Sequence, residues 1–284
     1  MEKFEQPLLI VDLINALFGP LAVALHKLIG KTLVPDHHGY IIPPFMAMVL
    51  LIVIGFTVLG LAIRSRLSLE NPGKLQIILE DAVAGLAGML TEWLGPKGVN
   101  YLPLIGTLGA FILVGNYMGF FPGLMSPTSS FNVTLGCALT TWTFYHLQGV
   151  RAQGIVHYLL HFMFPPGVPK FLAPLMLPIE LISHVSRVMS LSLRLFGNIF
   201  GEELVVAIFG IVFPYLLPAV PQPLFLITSG LQAFIFVLLS IIYLQGATHI
   251  EHEHDHGDPS HGSEHGAHGH DHGHAPGMAK TAAA

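Results

Sequence analysis

"SLSLRLFGNIFGEEL", residues 190–204, puts an arginine and two glutamates into one of the most apolar parts of the chain. The apolar run around it extends from about residue 171 to 213, with no proline after Pro178. At 1.5 Å per residue its last 35 or so residues reach roughly 50 Å as a helix. A bilayer core is about 30 Å thick, so the reading is one long helix that tilts steeply or breaks. Arg194 lies too deep in the run for an easy escape to the interface, and a central arginine costs at least ~2.5 kcal/mol. Ionisable groups held inside a membrane usually mark ion pathways. A structural ion pair with Glu180, Glu202 or Glu203 is the bland alternative.

Angles around the helix, at about 100° per residue from Arg194, sort the polar groups. Glu180 falls at about +40°, Ser183 at about −20°, Arg187 at about +20°, Ser190 at about −40° and Asn198 at about +40°, which makes one polar stripe. Glu202, at about +80°, is at its edge. Glu203, at about 180°, faces away from the arginine. Gly197 and Gly201 flank the arginine face and permit close approach of another helix.

The remainder of the chain sets this helix in a polytopic membrane protein. Of 284 residues, 52% are hydrophobic and 10% charged, where a soluble domain has about 25% charged; mean hydropathy is +0.66. Further spans are expected at about 44–63, 102–121, 131–147 and 224–244, each near the roughly 20 residues a crossing requires. With the long helix these make five. Residues 72–95, "PGKLQIILEDAVAGLAGMLTEWLG", read as an amphipathic helix lying in the interface. Residues 8–29 are long enough to span, but Asp12, Asn15, Pro20 and His26 leave open a surface helix or a sixth, irregular crossing.

Cytoplasmic loops collect Lys and Arg. Arg64, Arg66, Lys74 and Lys97 follow the first span, and Arg151 and Lys170 precede the long helix, whereas loops 122–130 and 214–223 carry no charge. The N-terminus is therefore expected outside and the C-terminus in the cytoplasm. The opening residues lack the basic start of a cleaved signal peptide, so the mature chain is expected to begin near Met1. Residues 1–42 read as an extracytoplasmic segment with an interfacial helix, 43–248 as the membrane domain, and 249–284 as a disordered His-rich tail. Such a tail has the spacing to hold Zn²⁺, Ni²⁺ or Cu²⁺ loosely, though a solvated tail with incidental metal affinity explains it as well. Cys137 is the only cysteine, so no intrachain disulfide or thiolate cluster is available.

The last span adds Gln232, which points with Thr228 and Phe225 along one face of "LQAFIFVLLSIIYLQ". A lone membrane glutamine is more often an interhelical hydrogen-bond partner than an ion-pathway residue. Together, however, "SLSLRLFGNIFGEEL" and "LQAFIFVLLSIIYL" about thirty residues on resemble the a subunit of the F-type ATP synthase. So do "NPGKLQIILEDAV" (71–83), "LVGNYMGFFPG" (113–123), "SFNVTLGCAL" (130–139) and "PIELISHVSRVMSLSLRLFGN" (178–198). The resemblance covers roughly residues 43–244.

That resemblance implies an all-α fold and a non-catalytic stator subunit of a bacterial inner membrane. Its implied partners are a ring of c subunits, the b subunit of the peripheral stalk, the other synthase subunits and lipid, with no cofactor, metal or nucleic acid. It implies that Arg194 faces the ring carboxylates. Asn198, Glu203, Gln232 and Asn116 match positions of the half-channel open to the outside, Glu180 and Ser183 match the cytoplasmic exit, and Arg187 stands where relatives also carry a basic residue. Two departures stand out: Phe225 replaces a histidine found in some relatives seven residues before the glutamine, and Gly119 replaces a residue that is sometimes acidic. The outer path is then expected to rely on Glu203, helped by Glu202, His184 or ordered water.

A secondary proton or metal-ion transporter is the competing reading. It is motivated by the buried charges and the His-rich tail, but such proteins show internal repeats and paired broken helices, and none is evident. An intramembrane hydrolase requires a HExxH helix, a GxSxG elbow or paired aspartates, which the spans lack.

Overall fold

The computed structural model describes residues 9–28, 41–64, 67–68, 72–121, 124–155, 158, 173–212 and 220–248. The chain divides into two units, 1–250 and 251–284, and all described residues belong to the first. The sequence readings of the tail and of residues 1–8 and 29–40 lie outside the described residues. Among the described residues there are helices and no strand: α1 (Leu9–Leu28), α2 (Pro44–Arg64), α3 (Lys74–Leu94), α4 (Leu102–Met118), α5 (Phe131–Gln153), α6 (Ala173–Val212) and α7 (Gln222–Thr248). Short 3-10 turns at Pro96–Tyr101 and Pro127–Ser129 lead into α4 and α5, each opened by a proline, whose fixed φ suits the first turn of a helix.

The helix ends follow from the residues there. Glycines with positive φ, Gly95 and Gly154, terminate α3 and α5, and each returns its N–H to the carbonyl four residues earlier, a cap that an L side chain would strain. Hydroxyls inside the apolar helices are satisfied locally: Thr57, Thr91, Thr140 and Thr248 each donate to the carbonyl one turn back.

Among the described residues three segments are long and apolar enough to cross a membrane: Pro44–Arg64, Pro96–Met118 and Gln222–Thr248. This is fewer than the five expected. Helix α5 is diluted by Asn132, four threonines, His146 and Gln148, and α6 by Glu180, Arg187, Arg194, Glu202 and Glu203, so neither qualifies by composition alone. At 40 residues, α6 reaches about 60 Å.

The ambiguous first segment is a helix packed on α2, with Val11 and Ile14 against Ala47, Met48 and Ile52. Asn15 explains itself there. Its Nδ2 donates to the Ile42 carbonyl at 3.1 Å while its Oδ1 accepts from the Ile42 N–H at 2.8 Å, so one side-chain amide satisfies both backbone groups of a residue outside any helix.

The centre of the unit is a cluster drawn from four helices: Ile112 of α4, Cys137 and Ala138 of α5, Leu191 and Leu195 of α6, and Ala233 and Phe236 of α7. Helices α4 and α7 approach closely, since a Cβ built on Gly109 would meet Val237 at 2.5 Å. Helices α5 and α6 run antiparallel, with Phe131 against Phe196 at one end and Tyr145 against His184 at the other.

Packing turns α6 in a way that the polar stripe does not reveal. Its buried residues Leu191, Leu195 and Ile199 fall at about +60°, +100° and +140° from Arg194. Leu193, Phe200 and Leu204 are exposed, at about −100°, −120° and −80°. Arg194 therefore stands on the border between the packed face and an open apolar face, while Glu202 points into the packing.

Candidate functional site

The C-terminal part of α6 builds a carboxylate centre. Glu202 Oε1 accepts from Asn198 Nδ2 at 3.0 Å and from Thr228 Oγ1 at 2.6 Å, and Oε2 accepts from Ser229 Oγ at 2.9 Å. Glu203 lies beside the Ser129 side chain and the Ser126 backbone in the turn before α5. Both carboxylates line one cavity of about 220 Å³ with Asn116, Gly119, Ser126, Gln222 and Phe225. A water takes about 30 Å³ of liquid, so the space accommodates several.

Behind the cavity runs a buried polar chain. Asn116 Nδ2 donates to the Ser229 carbonyl at 3.1 Å, and its Oδ1 accepts from Thr128 Oγ1 at 2.7 Å. Thr128 and Ser126 hydroxyls are 2.7 Å apart, and Ser126 Oγ donates to the Gly115 carbonyl at 2.9 Å. Asn116, Ser126, Thr128 and Ser229 are all buried. They connect the surroundings of Glu202, through Ser229 and Asn116, to those of Glu203, through Ser126.

The two acids, which helical angles set on different faces, thus open on the same space. Glu202 is held to α7 through Thr228 and Ser229, and Glu203 lies beside the turn at residues 126–129. Phe225, where some relatives carry histidine, lines the same cavity.

The N-terminal part of α6 holds a second group. Glu180 Oε1 is 3.2 Å from His184 Nε2, and His184 Nδ1 is 3.0 Å from the Tyr145 hydroxyl. Arg187 lies beside Tyr145, its guanidinium 5.6 Å from the centroid of the Tyr243 ring, where the face of the π-system attracts a cation. His146 stacks obliquely on His184 at 4.8 Å and is 2.6 Å from the Tyr158 hydroxyl through Nδ1. His184 was expected to help the outer acids. It is about 28 Å from Glu203 along the helix and pairs with Glu180, so it belongs to this second group.

Arg194 sits between the two groups, about 12 Å along the axis from Glu202 and 21 Å from Glu180. It is exposed and forms no ion pair with any described residue, the one ion pair among them being His184 with Glu180. The structural ion-pair alternative therefore has no counterpart in the described residues. Cβ atoms built on Gly197 and Gly201 meet nothing within 4 Å, so no described helix of this chain closes over the arginine face. Ser183 and Arg187 are half-buried. Gln232 is buried, and its Nε2 has no hydrogen-bond partner among the described residues.

The sequence matches the family described as ATP synthase A chain over residues 45–245, which hold every residue of both groups. The chain belongs to the ATP synthase A chain family. Among curated relatives, ATP synthase subunit a of Campylobacter jejuni subsp. doylei is 44% identical over 185 residues, 64% of this chain and 80% of that protein. The corresponding protein of Citrifermentans bemidjiense is 43% identical over 204 residues, 72% of this chain and 86% of its own length. That of Geobacter sulfurreducens is 44% identical over 181 residues, 64% of this chain and 77% of its own.

Within this member of the family, several site residues lay beyond the sequence reading. Ser229, Ser126, Thr128 and Ser129 were not singled out, although the "TSG" triplet at 228–230 is a polar interruption of an apolar span. Tyr145, His146 and Tyr158 were missed too, and the only signal for the first two was an aromatic and imidazole cluster in "TWTFYHLQ". Among the described residues no group of three His, Cys, Asp or Glu side chains could hold a metal ion.

Proposed function

We propose that this chain is the proton-conducting stator subunit of an F-type ATP synthase in a bacterial inner membrane. It works against a ring of c subunits and is held by the b subunit and the rest of the complex. Helices α2, α4, α5, α6 and α7 cross the bilayer, α6 steeply tilted and α3 in the interface, with the N-terminus outside and the C-terminus in the cytoplasm. The chain makes and breaks no covalent bond; catalysis belongs to other subunits.

The observation that carries this reading is Arg194: exposed, without a carboxylate among the described residues, on a face that no described helix of this chain covers. A guanidinium in hydrocarbon is costly when unpaired, so its partner comes from outside the chain, and passing ring carboxylates supply it. Arginine has five N–H donors and keeps its proton. It therefore attracts an ionised carboxylate without offering a proton route past itself.

The two polar groups then serve as offset half-channels. Glu203 and Glu202, with Asn198, Asn116 and Gln232 nearby, form the path from the outside, and the 220 Å³ cavity lies on it. Glu180, Ser183, His184 and Arg187 form the path to the cytoplasm. A ring carboxylate gives up its proton to one path near Arg194, because a nearby cation favours its charged form. It is reloaded from the other path after the ring has turned. Because the groups lie at different heights along α6, with Arg194 between them, a proton crosses only by riding the ring. The drive is the membrane potential, about 2.3 kcal/mol per charge per 100 mV, together with the pH difference.

Arg194→Ala tests the reading. ATP synthesis and ATP-driven proton pumping should disappear in membrane vesicles that retain normal amounts of the assembled complex. Coupled synthesis at the parental rate in that variant would refute it.

A further inference from the structure

We infer that the junction of α2 and α3 is a binding site for an anionic phospholipid, whose phosphate is held by Arg64 and Lys74 and whose acyl chain enters the space beside them. The inference goes beyond the function proposed above and rests on it in one respect, the placing of α3 in the interface.

A cavity of about 350 Å³ lies between the C-terminal end of α2 and the first turn of α3, within the range of spaces that hold small ligands. Its wall is apolar, with Leu59, Ala62 and Ile63 from α2 and Leu75 from α3, and Lys74 stands in the same lining. Arg64 follows Ile63 directly and is the last residue of α2. Both cations are exposed, and neither forms an ion pair with a described residue. A Cβ built on Gly73 meets nothing within 4 Å, so no described part of the chain covers the cavity where α3 begins.

The junction is held in place and keeps its charge. Gln76 Nε2 donates to the Ser68 carbonyl at 3.2 Å, and its Oε1 accepts from the Ser68 N–H at 3.3 Å, which ties the chain after Arg64 to the first turn of α3. The same Nε2 donates to Glu80 Oε1 at 2.8 Å, and Glu80 falls about 120° around α3 from Lys74, so this acid is turned away from the lysine. Asp81 shares the Lys74 bearing but is about 10 Å along the axis, more than a Debye length at physiological salt. Leu59, Leu61, Leu67 and Leu75 are exposed beside the two cations. What covers this surface is therefore negative at one end and apolar over the rest. A phospholipid with net negative charge has that form, and basic pockets at the cytoplasmic side of membrane helices take such head groups. An acidic protein segment would neutralise the cations but leave the leucines and the cavity uncovered.

The test uses the whole complex in phosphatidylcholine vesicles that contain a trace of photoactivatable phosphatidylglycerol or, in parallel, photoactivatable phosphatidylcholine. Labelled peptides covering residues 59–76 are quantified by mass spectrometry. Each basic residue near the surface favours an anionic lipid about fivefold, so at low salt phosphatidylglycerol should label this junction about twentyfold more than phosphatidylcholine, and the excess should shrink as salt is raised. Lys74→Gln and Arg64→Gln should each cut the excess about fivefold. The double variant should abolish it, and Lys74→Arg should keep it. Ala62→Phe, which fills the cavity and spares both charges, should lose the label too. Equal labelling by the two lipids, an excess that survives the double variant, or one untouched by Ala62→Phe overturns the inference. So does a carbodiimide cross-link from Lys74 to a carboxylate of another subunit, which would make the partner a protein. If the double variant does not assemble, the single variants and the salt dependence of the parental complex decide. Labelling reads binding and not coupling, so its failure leaves the Arg194 reading intact, whereas normal synthesis in Arg194→Ala refutes that reading whatever the lipid labels.

Discussion

Ser229 gives the most discriminating test of the outer carboxylate centre. Glu202 accepts two donors on Oε1, from Asn198 and Thr228, but only Ser229 on Oε2 among the described residues. Ser229→Ala deletes the hydroxyl and keeps the backbone carbonyl that Asn116 holds, so the polar chain behind it survives. A hydrogen bond to a charged group contributes about 1.5–3 kcal/mol, and about 1.4 kcal/mol is a factor of ten in a population or rate. The held geometry of Glu202 should therefore become about tenfold rarer, and ATP synthesis driven by an imposed potential should fall by a similar factor. Thr228→Val, nearly isosteric, also removes one bond to Glu202, but Oε1 keeps Asn198, and the loss should be smaller. In a Glu202→Gln background both effects should shrink, because the charge that strengthened the bonds is gone. Rates are to be compared in vesicles with equal amounts of assembled complex. Parental synthesis in Ser229→Ala, or a larger loss in Thr228→Val, would refute the view that Glu202 is held for proton uptake by these hydroxyls.

Asn116→Ala should destabilise the subunit by about 2–3 kcal/mol, since it strips buried partners from the Ser229 carbonyl and Thr128; the thermal midpoint of the purified complex should drop. Gly109→Val should prevent close approach of α4 and α7, because its Cβ would come within 2.5 Å of Val237 and overpacking costs about 1–3 kcal/mol. Val237→Ala should restore assembly, measured as the amount of subunit retained in membranes. Deleting residues 249–284 should leave coupled ATP synthesis unchanged; a synthesis defect reversed by added Zn²⁺ would instead favour the transporter reading.

The long helix, the positions of α2 and α7, and the polar stripe around Arg194 were legible because they depend on residue spacing alone. The face that α6 buries was not. Inside a membrane the packed side and the lipid side are both apolar, so nothing in "LSLRLFGNIF" distinguishes Leu191, which is buried, from Leu193, which is exposed. That ambiguity is why Glu202 read as the edge of a stripe when it is the better connected of the two acids. Glu203 was singled out through family resemblance, but its neighbours come from a turn that the sequence marked only as an uncharged loop. The second group escaped for a related reason. Tyr145 and His146 pack against His184 across more than 35 positions of chain, with Tyr158 held on His146, and helical periodicity is blind to contacts between helices.

One consequence of the unbroken α6 concerns what lengths it tolerates. Glu180, Arg194 and Glu202 ride on a single rigid screw, so their mutual heading is fixed by residue count and not by any loop. Adding one residue between Arg194 and Glu202 swings the acid by about 100°, away from Thr228 and Ser229 and onto the bearing that Glu203 now holds. Adding seven returns it to within about 20° but lifts it by about 10 Å. No insertion preserves both bearing and height, so this span of the gene is closed to insertions and deletions, however freely its apolar letters are exchanged.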